Sequence, residues 1–597
     1  GLGELQEWEA VEELRARHVL EDMGGGRLRF VHDKLREIAY EGISPERRRT
    51  LHREVALALE GRYAVGEVPP ALFAALAHHW EVAGDDVWTF EYLEKAGAHA
   101  LAAGAHREAA GWLRRALELD AQRGRESSVR VDVLRRARWE RLLAEALFGL
   151  SDYEDCTDHC RRALEGLGRP LPASLGGWVR FLLRQMGQQV MHLLRPLDRV
   201  RAEDAGEIES QGAAALAAMR LAECYYWRYE PLQMAATALL AANLAERAGR
   251  DAEVLRLYGQ LGSIAGMARL NSLARTYFRR ALGEGQPVED PSAIGFGLIL
   301  ECMYHAGFAR WSPAAARASE AQRVLLKLGD RGEYELAVVL LGHVDFYTGR
   351  FLSALERFAE VRESARTRGH LQHEIWAPYS MARSLLMLGR RDEALPLLRE
   401  SWALLERKDD LLSTIICGGL LARVHLEQGE LELARERADG VMALARKLPP
   451  LLFTEGHGYE GAALTYLTLW ERELETNPGC RPPEAELARE ACARLRAFAM
   501  RYPVGQPMAL RWTGRLHWLA GRRRRARAAW RRSIRLAREM GMLYDEAEAW
   551  LELARTAESG STERETYRQE ALGGFTRLGC VERVREAEAL KARPIGG

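Results

Sequence analysis

Three stretches in the middle of the chain lie in register: residues 342–361 (GHVDFYTGRFLSALERFAEV), 382–401 (ARSLLMLGRRDEALPLLRES) and 422–441 (ARVHLEQGELELARERADGV). Each starts on a small residue and is broken by a glycine, at Gly349, Gly389 and Gly429. The 40-residue spacing extends outward to six units. A first series of slim residues is Ala222, Gly262, Cys302, Gly342, Ala382 and Ala422. Twelve residues further on comes a second, Met234, Ala274, Ala314, Ala354, Ala394 and Ala434. A third follows at Ala241, Ala281, Ala321, Val361, Ser401 and Val441. The turn breakers, clearest in Thr348-Gly349-Arg350, Leu388-Gly389-Arg390 and Gln428-Gly429-Glu430, fall between the first two series. Each unit therefore reads as helix, short turn, helix, with small residues where the two helices cross. The predicted fold class is all-α, a helical-repeat solenoid.

Composition agrees with that reading. A chain of 597 residues exceeds one compact core, whereas a stacked array grows lengthwise. Hydrophobic residues at 47% and charged residues at 28% are those of an ordinary folded protein. Lys+Arg and Asp+Glu number 85 each, which excludes a general nucleic-acid or anionic-membrane binder and leaves only local basic patches. Eight cysteines without framework spacing suit a reducing cytosol, so a cytoplasmic location is expected. No signal peptide opens the sequence, and no membrane span is expected, for want of an apolar run of about 18 residues. The most lipid-like stretch, Trp178 to Leu194, carries Arg180, Arg184 and His192 with Gln185, Gln188 and Gln189. It predicts an amphipathic helix packed on the protein.

The first sixty residues differ in kind. Residues 4–17 have helical apolar spacing at Leu5, Trp8, Val11 and Leu14. Two extended segments, His18–Met23 and Arg27–His32, flank Gly24-Gly25-Gly26 and predict a β-hairpin. Asp33 is placed to cap the next helix, and Ser44-Pro45 opens another with Ser as N-cap and Pro at its first position. Helix, hairpin, helix is the back half of a winged helix. Its front half would lie upstream of Gly1, so a fragment of a larger protein is expected. The helix before the hairpin carries Glu4, Glu7, Glu9, Glu12 and Glu13 against Arg15 and Arg17. Such a surface repels phosphates, so this segment is expected to pack on protein and not to read DNA.

The residues Phe30-Val31-His32-Asp33-Lys34-Leu35-Arg36-Glu37-Ile38-Ala39-Tyr40, with Ser44–Arg49 and Leu51-His52, carry a resemblance. They resemble the winged-helix segment of signal-transduction ATPases with numerous domains, above all large bacterial predicted ATPases fused to serine/threonine kinases or adenylate cyclases. The resemblance implies an AAA-like nucleotide-binding domain before this segment and tetratricopeptide-like repeats after it. It also implies that His32 senses the phosphate of bound ADP and that Asp33 caps the helix behind. The plainer alternative is that His32 ends a strand and packs.

Ala98–Asp120 and Leu142–Leu167 resemble tetratricopeptide units, and Pro170 and Pro172 then break the rhythm. The 40-residue period exceeds that of the standard tetratricopeptide and falls in the range of HEAT-type repeats. The turns Gly-Arg-Phe-Leu-Ser-Ala-Leu and Gly-Arg-Arg-Asp-Glu-Ala-Leu favour the tetratricopeptide-like reading over residues 71–450. Such arrays present a concave groove to peptides or partner domains. After Pro449-Pro450 the register fades, and Asn477-Pro478-Gly479 to Pro482-Pro483 reads as loop. A unit returns at Gly514–Ser533, and a helix pair from Tyr544 to Lys591 reads as a cap. The predicted layout is a partial winged helix (1–60), first repeats (61–168), an inserted amphipathic helix (169–205), six repeats (206–450), and an irregular segment with last repeats and cap (451–597).

Catalytic chemistry is not expected. No Walker A loop occurs, Gly24–Gly26 reads as a turn, and the kinase catalytic signatures are missing, so no cofactor is expected in this chain. Cys156, His159 and Cys160 lie within little more than one helical turn, but Cys156 and Cys160 fall on repeat-core positions, and His78-His79 lacks the spacing of two ligands on one helix face; no metal site is expected. The densest charge is Arg522, Arg523, Arg524, Arg525 and Arg527, continued by Arg531, Arg532, Arg535 and Arg538 around an apolar stripe of Ala526, Trp530, Ile534 and Ala537. It is either a patch for an anionic partner or a solvated face balanced by Glu539, Asp545, Glu546 and Glu548. Aromatic residues at Tyr225-Tyr226-Trp227, Tyr229, Trp376 and Tyr379 are expected mostly in the core. The functional expectation is a non-catalytic regulatory arm that binds a protein partner or effector in the groove and relays it through the winged helix to a nucleotide switch. The alternatives are a stand-alone scaffold and a DNA-binding regulator.

Overall fold

A computed structural model of the chain describes residues 4–24, 27–63, 68–123, 131–150, 152–194, 202–283, 290–408, 410–477, 480 and 482–591. The chain divides into two compact units: residues 1–177 with 216–228, and residues 178–215 with 229–597. Within these, tetratricopeptide-like helix pairs are the dominant element.

The first unit opens with α1 (Glu4–Ala16), an antiparallel hairpin of β1 (Leu20–Asp22) and β2 (Leu28–Phe30), α2 (Asp33–Glu41) and α3 (Pro45–Glu60). Leu20 pairs with Phe30 and Asp22 with Leu28, and Gly24 makes the turn at φ 79°; Gly25 and Gly26 lie outside the described residues. Ser44 caps α3 by accepting from the Arg47 amide, with Pro45 at the first position. Asp33 does not cap α2. The N-cap is His32, whose extended backbone (φ −125°, ψ 128°) ends the hairpin, and Asp33 instead pairs with Arg36 at 3.4 Å. Paired helices follow: α4 (Phe73–Ala83) with α5 (Asp86–Ala102), then α6 (His106–Arg123), α7 (Val133–Gly149) and α8 (Tyr153–Gly166). Trp80 and Trp139 anchor this core, their indole N–H groups donating to Glu60 and Glu94.

Two helices, α9 (Leu175–Leu193) and α10 (Ala205–Trp227), have residues in both units. The second unit continues with α11 (Pro231–Ala248) and with helix pairs. These are α12 (Asp251–Met267) and α13 (Asn271–Ala281), α14 (Pro291–Gly307) and α15 (Trp311–Leu328), α16 (Arg331–Tyr347) and α17 (Phe351–Arg368). Next are α18 (Leu371–Leu388) and α19 (Arg391–Leu405), then α20 (Leu411–Glu427) and α21 (Leu431–Lys447). The pairing persists where the sequence period fades, in α22 (Gly456–Thr476) and α23 (Pro483–Arg501), α24 (Gln506–Leu519) and α25 (Arg523–Glu539), and α26 (Leu543–Thr556) and α27 (Thr562–Leu578). A short α28 (Val581–Ala589) ends the described chain, so the C-terminal segment holds three helices where the sequence suggested two.

All the small residues of the three 40-residue series are buried. Their role is steric. A Cβ on Gly342 would lie 2.6 Å from the Phe358 ring, and one on Gly262 would lie 2.8 Å from Phe278. These two pairs thus seat a large residue of the second helix against a glycine of the first. The turn position also repeats. Gly349, Gly389 and Gly429 hold φ near 80°, and in the earlier units the same place is taken by Tyr229, Arg269 and Ala309 at φ 55–61°. A side chain there is strained, because its Cβ crowds the following carbonyl. Ala309→Gly is therefore expected to stabilise the second unit by about 0.5–1 kcal/mol, read as a higher urea midpoint at unchanged slope.

Candidate binding axis in the helical array

The first helices of the later pairs are buried on every side. Along α16 every residue from Ala337 to Tyr347 is buried, and along α20 every residue from Ile415 to Leu426. One face packs on the partner helix of the pair; the other is covered by the C-terminal helices. Phe346 meets His457 edge-on at 5.4 Å between centroids, and Phe351 meets Tyr544 at 5.9 Å. The Trp311 indole donates to the Met540 carbonyl at 2.6 Å, and Arg391 pairs with Glu582 at 3.1 Å. Helices α20 and α22 cross with their backbones in contact at Gly419, Gly458 and Gly461. The expected open groove is therefore not an open surface along α16 to α20. That side is occupied by the protein's own C-terminal helices.

Where these helices converge, charge is buried. Arg511 pairs with Glu460 and, at 2.9 Å, with Glu548, and Trp512 donates to Glu460 at 3.1 Å. Arg583 reaches Glu548 at 2.8 Å and Glu586 at 2.6 Å, and Arg423 reaches Glu427 at 2.9 Å. Burial pushes Glu548 up, but Arg583 and Arg511 outweigh it and hold the carboxyl at about 2. Asp545, which burial dominates, is pushed up to about 7 despite Arg511. These pairs compensate one another's charge and fix the crossing of the helices. Four buried arginines occur among the described residues. Arg423, Arg511 and Arg568 each hold a carboxylate; Arg383 holds none.

Several histidines in this unit are held neutral. Burial and then Arg383 keep His457 at about 4 and push His343 well down. Burial, then His373, keeps His370 at about 4, and burial lowers His373 against the pull of Glu335. A depressed histidine contributes stability that is present above its ordinary value of 6.5 and lost as pH falls towards the folded value. Asp545 and Glu455, both raised to about 7, act in the opposite sense but are fewer. Stability of the second unit is thus expected to fall from pH 6.5 to pH 5, by about 2 kcal/mol for a fully depressed histidine such as His457. Urea titrations at the two pH values check this; a rise on acidification would contradict it.

A metal-like group, Glu335, His370 and His373, has its ligand atoms within 4.8 Å of one another. Its cation is already supplied by the protein. Arg368 pairs with Glu335 through Nε at 3.1 Å, and Ser364 and the His373 ring approach the same carboxylate at 2.5 and 2.8 Å. The predicted Cys156 and Cys160 are fully buried in the first unit, Cys156 against Cys224 with sulfurs 3.0 Å apart. His159 is turned to Glu140 at 2.5 Å.

The other predicted residues lie apart. His32 and Asp33 are exposed at the start of α2, a helix that buries none of its residues. The apolar stripe Ala526, Trp530, Ile534 and Ala537 is buried, as its spacing predicts. Around it Arg522, Arg524 and Arg525 are exposed, Arg527 is half-buried, and Arg523 lies 5.2 Å over the Trp518 ring. Arg531 and Arg538 pair with Glu563 and Glu546, so part of the far half of the face is balanced within the protein. The aromatic residues Tyr225, Tyr226, Trp227, Tyr229, Trp376 and Tyr379 are all buried or half-buried.

Helix α9 forms as expected but with its faces reversed. Gln185, Gln189 and His192 are buried: Gln185 accepts from Asn243, and Gln189 and His192 bond to Glu246 at 2.9 and 2.5 Å. The apolar row Val179, Leu183, Met186, Val190 and Leu194 is exposed, Leu183 at 62% and Leu194 at 77%. Apolar burial normally decides a helix's orientation; here carboxylate and amide partners on α11 draw the polar side inward. Sequence spacing gave the helix but not its partner, so this surface was missed. No helix among the described residues is long and apolar enough to cross a membrane.

No protein-family model and no curated protein matches this sequence. Among solved structures, it is similar to a Rap protein complexed with competence and sporulation factor, at 13% identity and a TM-score of 0.41, over 61% of this chain and 97% of that one. It is similar to the APC/C hetero-tetramer Cut9-Hcn1, at 12% identity and a TM-score of 0.41, over 93% and 95%. It is also similar to yeast Tom70, at 14% identity and a TM-score of 0.33, over 84% and 97%.

Proposed function

We propose that the chain is a non-catalytic protein-interaction arm and that a partner docks on the outward face of α9. The observation that carries this reading is the row Val179, Leu183, Met186, Val190 and Leu194, spaced by four and three residues and exposed throughout. That narrow stripe is the seam of a helix-helix contact. Arg180 and Arg184, both exposed, border it, and α9 contains no acidic residue. The complementary surface is an amphipathic helix whose seam is bordered by Asp or Glu. A lipid surface fits less well, because Trp178 is buried and Phe181, half-buried, packs edge-on against it, so the exposed row holds no aromatic side chain. The test is a photo-crosslinking residue at Met186 in source cells, with the crosslinked peptide identified by mass. The reading expects one helical segment with an acidic border, lost in Leu183→Glu. Crosslinking to phospholipid, or none that depends on Leu183, would overturn it.

A second, finer reading concerns the relay. The hairpin and α2 would act as a partial winged helix against an AAA-like nucleotide-binding domain, supplied upstream or by a separate chain. What favours it, beyond the resemblance of residues 30–52, is the number of exposed apolar side chains in this segment: Trp8 on α1 is 69% and Ile38 on α2 57% exposed, with Val31 and Leu35, near His32 in sequence, also open. His32 would then contact the nucleotide phosphate. Nucleotide turnover by such a domain should change when residues 71–597 are removed and when His32→Ala is introduced. Identical turnover in all three forms would end this reading.

A further inference from the structure

The buried arginine without a carboxylate sits where α16, α18 and α22 meet, and its surroundings are polar but incomplete. Arg383 is fully buried, with 0% exposure. Its Nη2 donates to His343 Nδ1 at 2.8 Å, and its guanidinium carbon lies 3.9 Å from the Phe346 ring centroid. A guanidinium has five N–H donors and no acceptor. Here Nε and Nη1 make no well-formed hydrogen bond, and the group beside them is the neutral Tyr347 hydroxyl, not a carboxylate. Two more buried polar atoms on the same helices are unpartnered: Ser380 Oγ, one turn back on α18, and Nε2 of His457, whose ring packs on the Phe346 ring that also carries the guanidinium. Glu460, the carboxylate whose field reaches Arg383, is committed to Arg511 and Trp512.

A buried, uncompensated cation strongly destabilises a fold, and natural cores pair such a charge. The other buried arginines follow that rule, so the exception calls for a negative charge from outside the chain. We infer that Arg383, with Ser380 and His457, forms a binding site for a small oxyanion, a carboxylate or phosphate group. Arg383 Nε and Nη1 donate to the anion's oxygens, as does the Ser380 hydroxyl. His457 keeps its Nδ1–H on Glu460 at 3.3 Å, and Nε2, unprotonated in the free protein, takes up a proton as the anion binds and donates it to the ligand. Helix α16 supplies the wall through His343 and Phe346. Because the three helices belong to the array and to its C-terminal cover, the anion would tie them together. This site is separate from the docking row on α9 and does not depend on it.

The test uses the full chain and its Arg383→Met variant, which removes the charge at similar volume. Thermal unfolding is followed against inorganic phosphate and, in a separate arm, acetate, with sodium chloride holding ionic strength constant. The wild type should show a saturable rise in midpoint with one or both anions, and the arm that responds tells a phosphate from a carboxylate ligand. The variant should bind about tenfold or more weakly. An equal response in both proteins, or none in either, would overturn the site. Should the variant fail to fold, wild-type crystals soaked in selenate decide. An anomalous peak within hydrogen-bonding distance of Arg383 Nε or Nη1 supports the site, and only water or empty space there refutes it.

Discussion

Replacing Arg511 by methionine is expected to lower the stability of the second unit by about 3–5 kcal/mol. The guanidinium is buried and bridges two carboxylates, Glu460 and Glu548, that are themselves buried. Removing it leaves both anions in a low-dielectric interior. Glu460 keeps only Trp512 and His457, and Glu548 keeps Arg583. The loss should be partly recovered in the double variant Arg511→Met, Glu460→Gln, since the second change removes one stranded charge. Urea unfolding of the three proteins measures this coupling. Equal stability of Arg511→Met and the wild type would mean that the charged axis does not hold the helices.

The second large effect is expected at the crossing of α20 and α22. A Cβ on Gly461 would fall inside contact distance of the Gly419 carbonyl, and one on Gly458 would fall on the Ile415 carbonyl. The obstacles are backbone atoms, which cannot rotate away. Gly461→Ala should therefore cost about 3 kcal/mol or more, by forcing two packed helices apart. Gly573→Ala is the control. Gly573 lies exposed in α27 with nothing near its missing Cβ, so alanine there should stabilise by up to about 1 kcal/mol through helix propensity.

These positions mark how far the sequence could be read. The 40-residue series located the helix pairs and their turns, because slim residues at a fixed interval have one steric use, close crossing. The apolar spacing of α25 likewise named its buried stripe correctly. The contacts of α16 to α20 with α22 to α28 were not legible. They join residues such as Arg391 and Glu582, far apart in sequence, and no local pattern records which distant helix covers a face. The same limit explains α9, whose polar face is buried because Glu246 and Asn243 on α11 receive it. Arg383 carried no signal either: one arginine in an apolar helix gains meaning only from the absence of a carboxylate beside it. The capping role expected of Asp33 failed for a local reason, since β2 runs directly into His32 and leaves that residue at the boundary.

The central structural claim is that the inner side of the repeat helices is closed by the chain's own C-terminal helices. A distance between spin labels at positions 391 and 582, whose side chains form an ion pair at 3.1 Å, tests it most directly. Labelling through cysteines introduced there, in a Cys480→Ser background that removes the one half-exposed thiol among the described residues, keeps the signal specific. The account predicts a single short, narrow distance in the free protein. A long or broad distribution would mean that the array stands open, and its inner face would again be the place for a partner.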